Sequence, residues 1–232
     1  MNFAGVKSIT IPEGDVKSVA IGGVTVWTKP NPLPYDAEVE YIRSDSENNA
    51  YIDTGVSPVA STFGLDIDFS VGGASCPQRP FGCRASSTTA GRGSYNVLFA
   101  TEWNCRIDMI GTSTWAVPMA SGSKNGLVAT PSGVTVNGEY KANVSGKTDC
   151  EFHFLLFAIN NAGSPWKNTR GQVSIYRCKI YQGSAIVRDF IPVRVGTAGY
   201  LYDRANPTGG PSGNGLYGSA TSTPLVAGPD KN

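Results

Sequence analysis

The chain has few charged residues and almost no net charge. Lys, Arg, Asp and Glu make up 16% of the 232 residues, and the formal net charge is +1. Proteins that hold nucleic acid or an anionic membrane through charge need a basic excess, so we expect neither partner. The chain also lacks an apolar run of the roughly 18–20 residues that a membrane-spanning helix needs. Its N-terminus lacks the uninterrupted apolar segment of a signal peptide, which predicts synthesis in the cytoplasm without export.

Residue types that often carry catalysis or hold metals are also scarce. The chain has one histidine, His153, and no G-x-S-x-G motif, which disfavours a Ser-His-Asp triad. The five cysteines include no C-x-x-C pair, which disfavours a zinc site. We expect reduced thiols that pack as small hydrophobic side chains, with a Cys76–Cys83 disulfide as the alternative.

What the chain does have is the composition of many short strands joined by turns. It contains 28 glycines and 15 prolines, and about a dozen short β-branched or aromatic runs follow one another at roughly regular spacing. No stretch has the 3.6-residue apolar period of an amphipathic helix. This pattern predicts an all-β fold, either a two-sheet sandwich or a jelly roll.

The rest of the chain is organised around a predicted hairpin over residues 171–192. Its turn lies at residues 182–184, where Gly183 can adopt a positive φ. The apolar side chains change parity along the first strand: Val173 and Ile175, then Tyr176, Cys178 and Ile180. Either both faces of this strand are buried, or a bulge near Ile175 shifts the register. Because so apolar a hairpin cannot stand alone in water, a second layer must cover it.

Three further patterns predict strands. Residues 62–71 alternate apolar side chains with Asp66 and Asp68, which predicts a half-buried strand. Asn137-Gly138 separates two short runs and predicts a tight hairpin. Residues 150–159 are apolar at both parities, which predicts one central strand covered on both faces, with His153 as a buried structural side chain.

The N-terminal segment predicts a small separate module. Residues 6–11, 16–21 and 24–27 are short β-branched runs, the last two separated by Gly22-Gly23, so we expect a three-stranded β meander over residues 1–29. Such a meander is too small to be stable alone and should dock onto the rest of the chain or onto another protein. The Pro-rich residues 30–37 predict an extended linker, followed by the main domain at residues 38–232.

Three segments, in this order, resemble a known family. They are VEYIRSDSENNAYIDTGV, QVSIYRCKIYQGSAIVRDFIPV and LYDRANPTGGPSGNGLYG, and they run from residue 39 to residue 218. Together they resemble the concanavalin A-like (LamG-like) lectin/glucanase jelly-roll domain of structural proteins from phages and prophages of gut bacteria. The N-terminal IPEGDVKSVAIGGVTVW is similar to the leader that precedes such domains. Val193 departs from the family's usual residue after the Phe190-Ile191-Pro192 segment.

The resemblance implies an all-β, concanavalin A-like two-sheet antiparallel jelly roll displayed on a virion, as a head decoration, head fibre or tail-associated protein. The N-terminal module would anchor the chain to other virion proteins, and a homo-oligomer, a trimer by analogy with virion fibres, is expected. The apolar side chains assigned to this anchor are Ile9, Ile11, Val19, Ile21, Val24 and Trp27.

Glycoside hydrolysis, which this fold also supports, is disfavoured by the residues present. The reaction needs two carboxyl groups at a fixed separation, and the nearest match is Asp66-Ile67-Asp68, with Val71 in the place of a third acid. We interpret these acids as a solvated strand face, and predict a protein that is not an enzyme and has no cofactor. Calcium binding is left as an unassigned alternative, because three predicted loop carboxylates could supply oxygen ligands: Asp45, Asp149 and Asp203.

Sugar binding is the function that the sequence favours. It needs an aromatic platform beside amide or carboxylate groups. The candidate side chains are Trp166, Asn160, Asn161 and Asn168, on a predicted polar loop over residues 160–170, with Trp103 and Trp115 as second choices. The alternatives are a purely structural capsid decoration protein without sugar binding and, third, a glycoside hydrolase.

Overall fold

We describe the fold from a computed structural model of the chain. It describes residues 18–21, 24–28, 33–45, 49–72, 78–86, 93–99, 104–108, 116–118, 122–142, 146–167 and 171–231. The chain divides into a small unit, Met1–Leu33, and a large unit, Pro34–Asn232. The boundary between them falls inside the predicted Pro-rich linker.

The small unit contains an antiparallel hairpin. Its strands are β1 (Ser18–Ile21) and β2 (Val24–Thr28), and their register is irregular between Val19 and Ala20. These strands correspond to the second and third runs of the predicted meander. The first run lies outside the described residues, so a three-stranded module stays a prediction.

The described residues of the large unit form strands, turns and loops, and they contain no helix. The first strands are β3 (Ala37–Glu38), β4 (Ile42–Ser44), β5 (Ile52–Asp53), β6 (Phe63–Gly72), β7 (Gln78–Arg84), β8 (Ser94–Phe99), β9 (Asn104–Ile107), β10 (Ala116–Pro118) and β11 (Lys124–Thr130). The remainder are β12 (Gly133–Val136), β13 (Glu139–Ala142), β14 (Leu155–Leu156), β15 (Ala158–Asn161), β16 (Ser164–Lys167), β17 (Gln172–Gln182), β18 (Ala185–Val195), β19 (Ala198–Asp203), β20 (Leu216–Tyr217) and β21 (Leu225–Ala227). In this part of the chain, no helix has the length and apolarity that crossing a membrane would require.

These strands form two large sheets, so the predicted all-β class is confirmed. One sheet has the order β10-β9-β8-β7-β14-β5, with β15 pairing with β7 and β16. The other has the order β13-β12-β11-β6-β17-β4-β21-β19-β18-β3, with β20 on β19. One edge of β17 pairs with β6. Its other edge pairs with two strands, with β4 along the first half and with β18 along the second half.

The two large sheets share one hydrophobic core, as expected for a sandwich. Phe69 of β6 packs edge-on against Phe81 of β7, with ring centroids 4.9 Å apart. Phe63 contacts both Tyr95 at 5.3 Å and Phe154 at 5.6 Å. Burying side chains of this size is worth roughly 1.5–3 kcal/mol each, and this burial is the main source of stability.

The predicted central hairpin is confirmed as β17 and β18, with Gly183 at φ +63° in the turn. The bulge is also confirmed: the register of β17 on β6 shifts between Ile175 and Arg177. Ile175 pairs with Phe69 and Arg177 with Asp68, so Tyr176 is the extra residue. The bulge keeps the apolar side chains on both sides of it in the core.

Two other predictions from local pattern are confirmed. The apolar side chains of β6 at positions 63, 65, 67 and 69 are buried, while Asp66 and Asp68 lie on the opposite face. β12 and β13 are joined at Asn137-Gly138, where φ is +50° and +79°. Positive φ at both positions matches the twist of a two-residue hairpin.

The prediction of one central strand over residues 150–159 is wrong. β14 runs antiparallel to β7, whereas β15 runs parallel to it, so the chain reverses between them. The reversal lies at Phe157, which has φ +65° and donates its backbone N–H to the Pro80 carbonyl. Residues 154–159 are nevertheless all buried, as the apolar run predicted.

The prediction that His153 is buried is also wrong. Its side chain is 49% exposed, and Nδ1 lies 3.0 Å from the Asp53 carboxylate. His153 precedes the buried run instead of lying within it, because strand pairing starts only at Leu155.

Three cysteines, Cys83, Cys150 and Cys178, are free and buried, as expected of reduced thiols. Cys83 is therefore not disulfide-bonded to Cys76, which lies outside the described residues. Burial raises the pKa of the Cys83 thiol well above its usual value, and a hydrogen bond with Cys150 adds to the shift. Buried, protonated thiols of this kind are inert packing groups.

A partly buried amine predicts an unusual pH dependence of stability. Lys147 donates hydrogen bonds to the carbonyl oxygens of Ser94 and Asp108. Burial lowers its pKa from 10.5 to about 8, which outweighs the opposite effect of Asp108. Between these values the unfolded chain binds more protons than the folded one, so raising the pH favours folding.

We therefore expect Lys147 to add about 3 kcal/mol to the free energy of unfolding as the pH rises from about 8 to 10.5. Urea denaturation across this range, in the native protein and in Lys147→Met, measures the difference. The thiol of Cys83 and the phenol of Tyr95, whose pKa values are raised, act in the opposite direction in both proteins. Identical pH profiles for the two proteins would contradict the prediction.

Candidate functional site

The described part of the chain contains half of the predicted sugar-binding residues, and these lie together. Asn160 and Asn161 belong to β15 and Trp166 to β16, so they share one hairpin. Trp166 was predicted in a loop but lies in a strand, opposite Ile159. The remaining candidates fall outside the described residues: Asn168, Trp103 and Trp115.

The side chains of this hairpin are engaged within the protein. The guanidinium of Arg79 lies 3.8 Å from the centroid of the Trp166 ring, and that of Arg84 lies 4.8 Å from it. Arg84 also donates a hydrogen bond to Asn161 Oδ1 at 2.6 Å. Arg79 is only 8% exposed, so its guanidinium contacts the indole as part of the packed structure. The sugar platform at Trp166 stays a prediction, with at least one ring face already covered.

The predicted anchoring residues lie in the small unit. Val19 and Ile21 are in β1, and Val24 and Trp27 are in β2, where Val19 pairs with Trp27 and Ile21 with Val24. Ile9 and Ile11 lie outside the described residues. The register therefore brings four of the six assigned positions onto one hairpin.

A groove of about 540 Å³ lies on the face of the β6–β17–β18 sheet that points away from the core. We call it the sheet groove. Charged side chains from distant parts of the sequence make up most of its lining. The lining residues are Glu38, Glu40, Lys124, Tyr176, Arg177, Lys179, Asp189, Ile191, Arg204 and Lys231.

The charges along the sheet groove are paired across neighbouring strands. Arg177 binds the carboxylate of Asp66 through two hydrogen bonds of 2.7 Å and that of Asp68 through bonds of 3.0 and 3.1 Å. Asp189 accepts from Arg204 at 3.0 Å and lies 3.8 Å from Lys179. The groove is therefore polar on its floor without a large excess of either charge.

Glu40 differs from the other acids of the sheet groove. Its side chain is exposed, and among the described residues it forms no ion pair. An exposed carboxylate without a cationic partner can accept hydrogen bonds from a ligand without losing an existing interaction. Glu40 therefore gives the groove a free acceptor.

The bulge in β17 supplies the aromatic side chain of the sheet groove. Because Tyr176 is the extra residue, Tyr176 and Arg177 are consecutive yet both line the groove. Lys124 Nζ lies 5.0 Å from the centroid of the Tyr176 ring. The Lys124 side chain is 53% exposed and also pairs with Asp68 at 3.0 Å, whereas the arginine on Trp166 is 8% exposed.

The acids of the candidate glycosidase motif bond Arg177, a lining residue of this groove, and do not line it themselves. Partial burial raises the pKa of Asp68, but hydrogen bonds from Arg177 and Lys124 outweigh it and lower the pKa overall. A general acid needs the opposite shift, so that its proton is held near neutral pH. Asp66 and Asp68 lie on the solvent face as predicted, but they are held by Arg177 and not simply solvated.

The three loop carboxylates considered for calcium are engaged separately. Asp149 accepts the backbone N–H of Ala60, Asp45 pairs with Arg43, and Asp203 is fully buried. Across the described ranges, no cluster of three or more acidic, histidine or cysteine side chains is placed to hold a metal ion.

Sequence reasoning missed most of the sheet groove. Tyr176 and Arg177 were part of the predicted hairpin, and the change of parity beside them was the available signal. Glu38 and Lys231 gave no signal, because their approach to β18 depends on pairing between distant segments.

Comparison with known proteins adds no assignment: no family model matches the chain, and no curated protein matches it significantly.

Proposed function

We propose that the protein is a phage virion surface protein whose large unit binds host or mucosal glycans along the sheet groove. The observation that carries this proposal is the bulge at Tyr176, which places an aromatic ring and a guanidinium side by side in the groove. Sugar sites combine these elements, since the ring packs on the apolar face of a sugar and polar groups bond its hydroxyls. Glu40 adds a free acceptor.

The size and charge of the sheet groove also support this proposal. About 540 Å³ lies within the range of ligand sites and is enough for a short stretch of a glycan chain. The paired charges offer donors and acceptors without a strong net field, which suits a polyhydroxylated ligand. A single site of this open kind would bind weakly, near the millimolar range, and copies on a particle would gain avidity.

The proposal extends to fold and context. We place the two large sheets in a concanavalin A-like jelly roll, in keeping with the three sequence segments that resemble that family, and we assign virion anchoring to the small unit. We also propose that the protein is not a glycoside hydrolase, which the lowered pKa of Asp68 supports.

The test of glycan binding compares two tyrosines of the same sheet in the full-length protein. Tyr176→Ala should weaken binding to a glycan that scores on an array by about tenfold or more. Tyr140→Ala should leave it unchanged, because Tyr140 is 58% exposed on β13 and does not line the groove. Affinity electrophoresis in gels containing the glycan provides the measurement.

Three outcomes would count against the proposal. Equal binding by Tyr176→Ala and the native protein removes the groove as the site. No glycan bound at all, while the protein enters particles, favours the structural decoration alternative. Release of reducing sugar that is lost in Asp66→Asn revives the hydrolase. The assignment of virion anchoring to the small unit fails if deletion of residues 1–33 leaves incorporation into particles intact.

A further inference from the structure

A second recess, of about 330 Å³, lies where the three sequence segments singled out above meet. We call it the motif cleft. Asp53 comes from the YIDTG stretch, Arg188 from VRDFIP, and Tyr217 from the final LYG. The other lining residues are Thr54, Gly55, His153, Gly210 and Pro211. Residues more than a hundred positions apart therefore form a single small cavity.

The polar groups of the motif cleft include an oriented histidine. His153 Nδ1 lies 3.0 Å from Asp53 Oδ1 and 3.1 Å from Oδ2, and both side chains are about half exposed. Asp53 is held in turn by the backbone N–H of Gly55, at 2.8 Å. In the neutral tautomer whose Nδ1–H donates a hydrogen bond to the carboxylate, Nε2 is left as an acceptor.

Arg188 supplies a donor to the same cavity. Its Nε donates to the Thr54 carbonyl at 2.9 Å and Nη1 to the Val187 carbonyl at 2.6 Å. Nη2 has no hydrogen-bond partner among the residues that the structure describes. Gly55, at φ +67°, leaves Nη2 uncovered, since a Cβ there would lie 3.4 Å from it.

The charges of the motif cleft disfavour an anionic ligand. The charge of Arg188 is balanced by the buried carboxylate of Asp203, whose Oδ2 lies 3.7 Å from Nε. Asp53 adds a second carboxylate, so the acids match or exceed the cations around the cavity. A phosphate or carboxylate would meet no excess positive charge here, whereas a neutral ligand meets both donors and acceptors.

We propose that the motif cleft binds one neutral sugar residue, as a second glycan site that acts beside the sheet groove. Adjacent sugar hydroxyls both donate and accept, which matches Arg188 Nη2 next to Asp53 and His153. Pro211 and the small exposed part of Tyr217, which is 5% exposed, provide the apolar surface that sugar faces pack against. The volume, at the lower end of ligand cavities, fits a monosaccharide better than a chain. The inference builds on the proposed glycan-binding function.

Titration of the full-length, ¹⁵N-labelled protein with methyl glycosides of hexoses and N-acetylhexosamines tests this proposal. The backbone amides of Gly55 and Gly210 should shift saturably in the millimolar range with at least one of these sugars. Asp53→Asn keeps an acceptor for Gly55 N–H and should weaken binding about tenfold, as should His153→Ala. Gln182→Ala, an exposed position that lines neither recess, should change nothing.

The outcomes separate the two sites. Shifts confined to Tyr176, Arg177 and Lys179 would overturn the motif cleft and leave the sheet groove supported. Shifts at Gly55 and Gly210 that persist in both cleft variants would also overturn it. Binding of methyl glucuronide with no binding of neutral sugars would overturn the neutral-ligand assignment. Saturable shifts at the cleft, with no array glycan whose binding is weakened in Tyr176→Ala, would support the motif cleft as a sugar site and exclude the sheet groove as one.

Discussion

Gly82→Ala is expected to destabilise the large unit by about 4 kcal/mol or more, or to prevent its folding. Gly82 lies in β7 between β8 and β14, where it pairs with Asn96 and Leu155. A Cβ at this position would lie 2.3 Å from Asn96 Cβ and 2.5 Å from the Tyr95 carbonyl oxygen. The neighbours cannot yield, because both strands are hydrogen-bonded to β7 and the core packs behind them.

Backbone conformation adds to this cost. Gly82 has φ +135°, a region that residues with a Cβ rarely occupy. Gly138→Ala is the matched control, because Gly138 also has a positive φ, +79°, but no atom of the described residues lies within 4 Å of the position that its added methyl group would take. We expect this control to cost only about 1–2 kcal/mol. The effect of alanine on the unfolded chain is the same in both variants and cancels.

Equilibrium denaturation in urea, followed by tryptophan fluorescence and circular dichroism, measures both variants. A Gly82→Ala protein as stable as Gly138→Ala would show that β7, β8 and β14 are not packed as described. If Gly82→Ala does not fold, expression of soluble Gly138→Ala under the same conditions still separates the two positions.

The sequence-based prediction succeeded where structure depends on neighbours along the chain. The β17–β18 hairpin followed from apolar strands on either side of Gly183. The bulge was one of the two alternatives that the change of parity after Ile175 left open, the other being a strand buried on both faces. Asn137-Gly138 predicted its hairpin because few other residues accept positive φ at both turn positions.

The prediction failed where structure depends on contacts between distant segments. Phe157 reverses the chain because β14 and β15 both pair with β7, and a run of apolar residues cannot reveal that. The sequence neighbours of Trp166 are polar and rich in Asn. In the structure, however, its ring is covered by arginines that precede it by more than eighty residues in the sequence. Periodicity reports which face of a strand is buried, and not which side chain from another strand lies over it.

The candidate sites show the same division. The residues of the motif cleft were noticed as parts of sequence segments, yet their convergence required the fold. In the sheet groove, the acids Asp66 and Asp68 were noticed as a strand face, but Arg177, which holds both, comes from another strand. Single sequence segments therefore indicate which side chains could take part in binding or catalysis. Which of them form one site depends on how the strands pair in the fold.

Asp203→Ala is expected to cost about 3–5 kcal/mol of the free energy of unfolding. Asp203 is fully buried, and its Oδ1 accepts the backbone N–H groups of Asp189 and Ala205 at 2.9 and 3.1 Å. The alanine variant would remove the acceptor of both N–H groups and leave Arg188 without its buried carboxylate neighbour. Denaturation in urea measures the loss.

Two comparisons identify the cause of this loss. Asp203→Asn keeps the Oδ1 acceptor but removes the charge, so it should cost clearly less than alanine if the backbone bonds dominate. Asp230→Ala removes a carboxylate that bonds Arg194 at 2.9 Å on the surface, and it should change stability little, because exposed ion pairs contribute little. Equal effects of Asp203→Ala and Asp230→Ala would contradict the buried role.

Asp203 also connects stability to the motif cleft. Its carboxylate lies beneath Arg188, which fixes the Thr54 carbonyl and directs Nη2 toward Gly55. In Asp203→Asn, the guanidinium loses its neutralising charge while the backbone bonds persist, so the cleft becomes more positive without unfolding. Binding of methyl glucuronide should then increase relative to neutral glycosides, and the same titration that follows Gly55 and Gly210 measures this change. An unaltered preference would mean that Asp203 supports the fold alone and does not set the charge of the cleft.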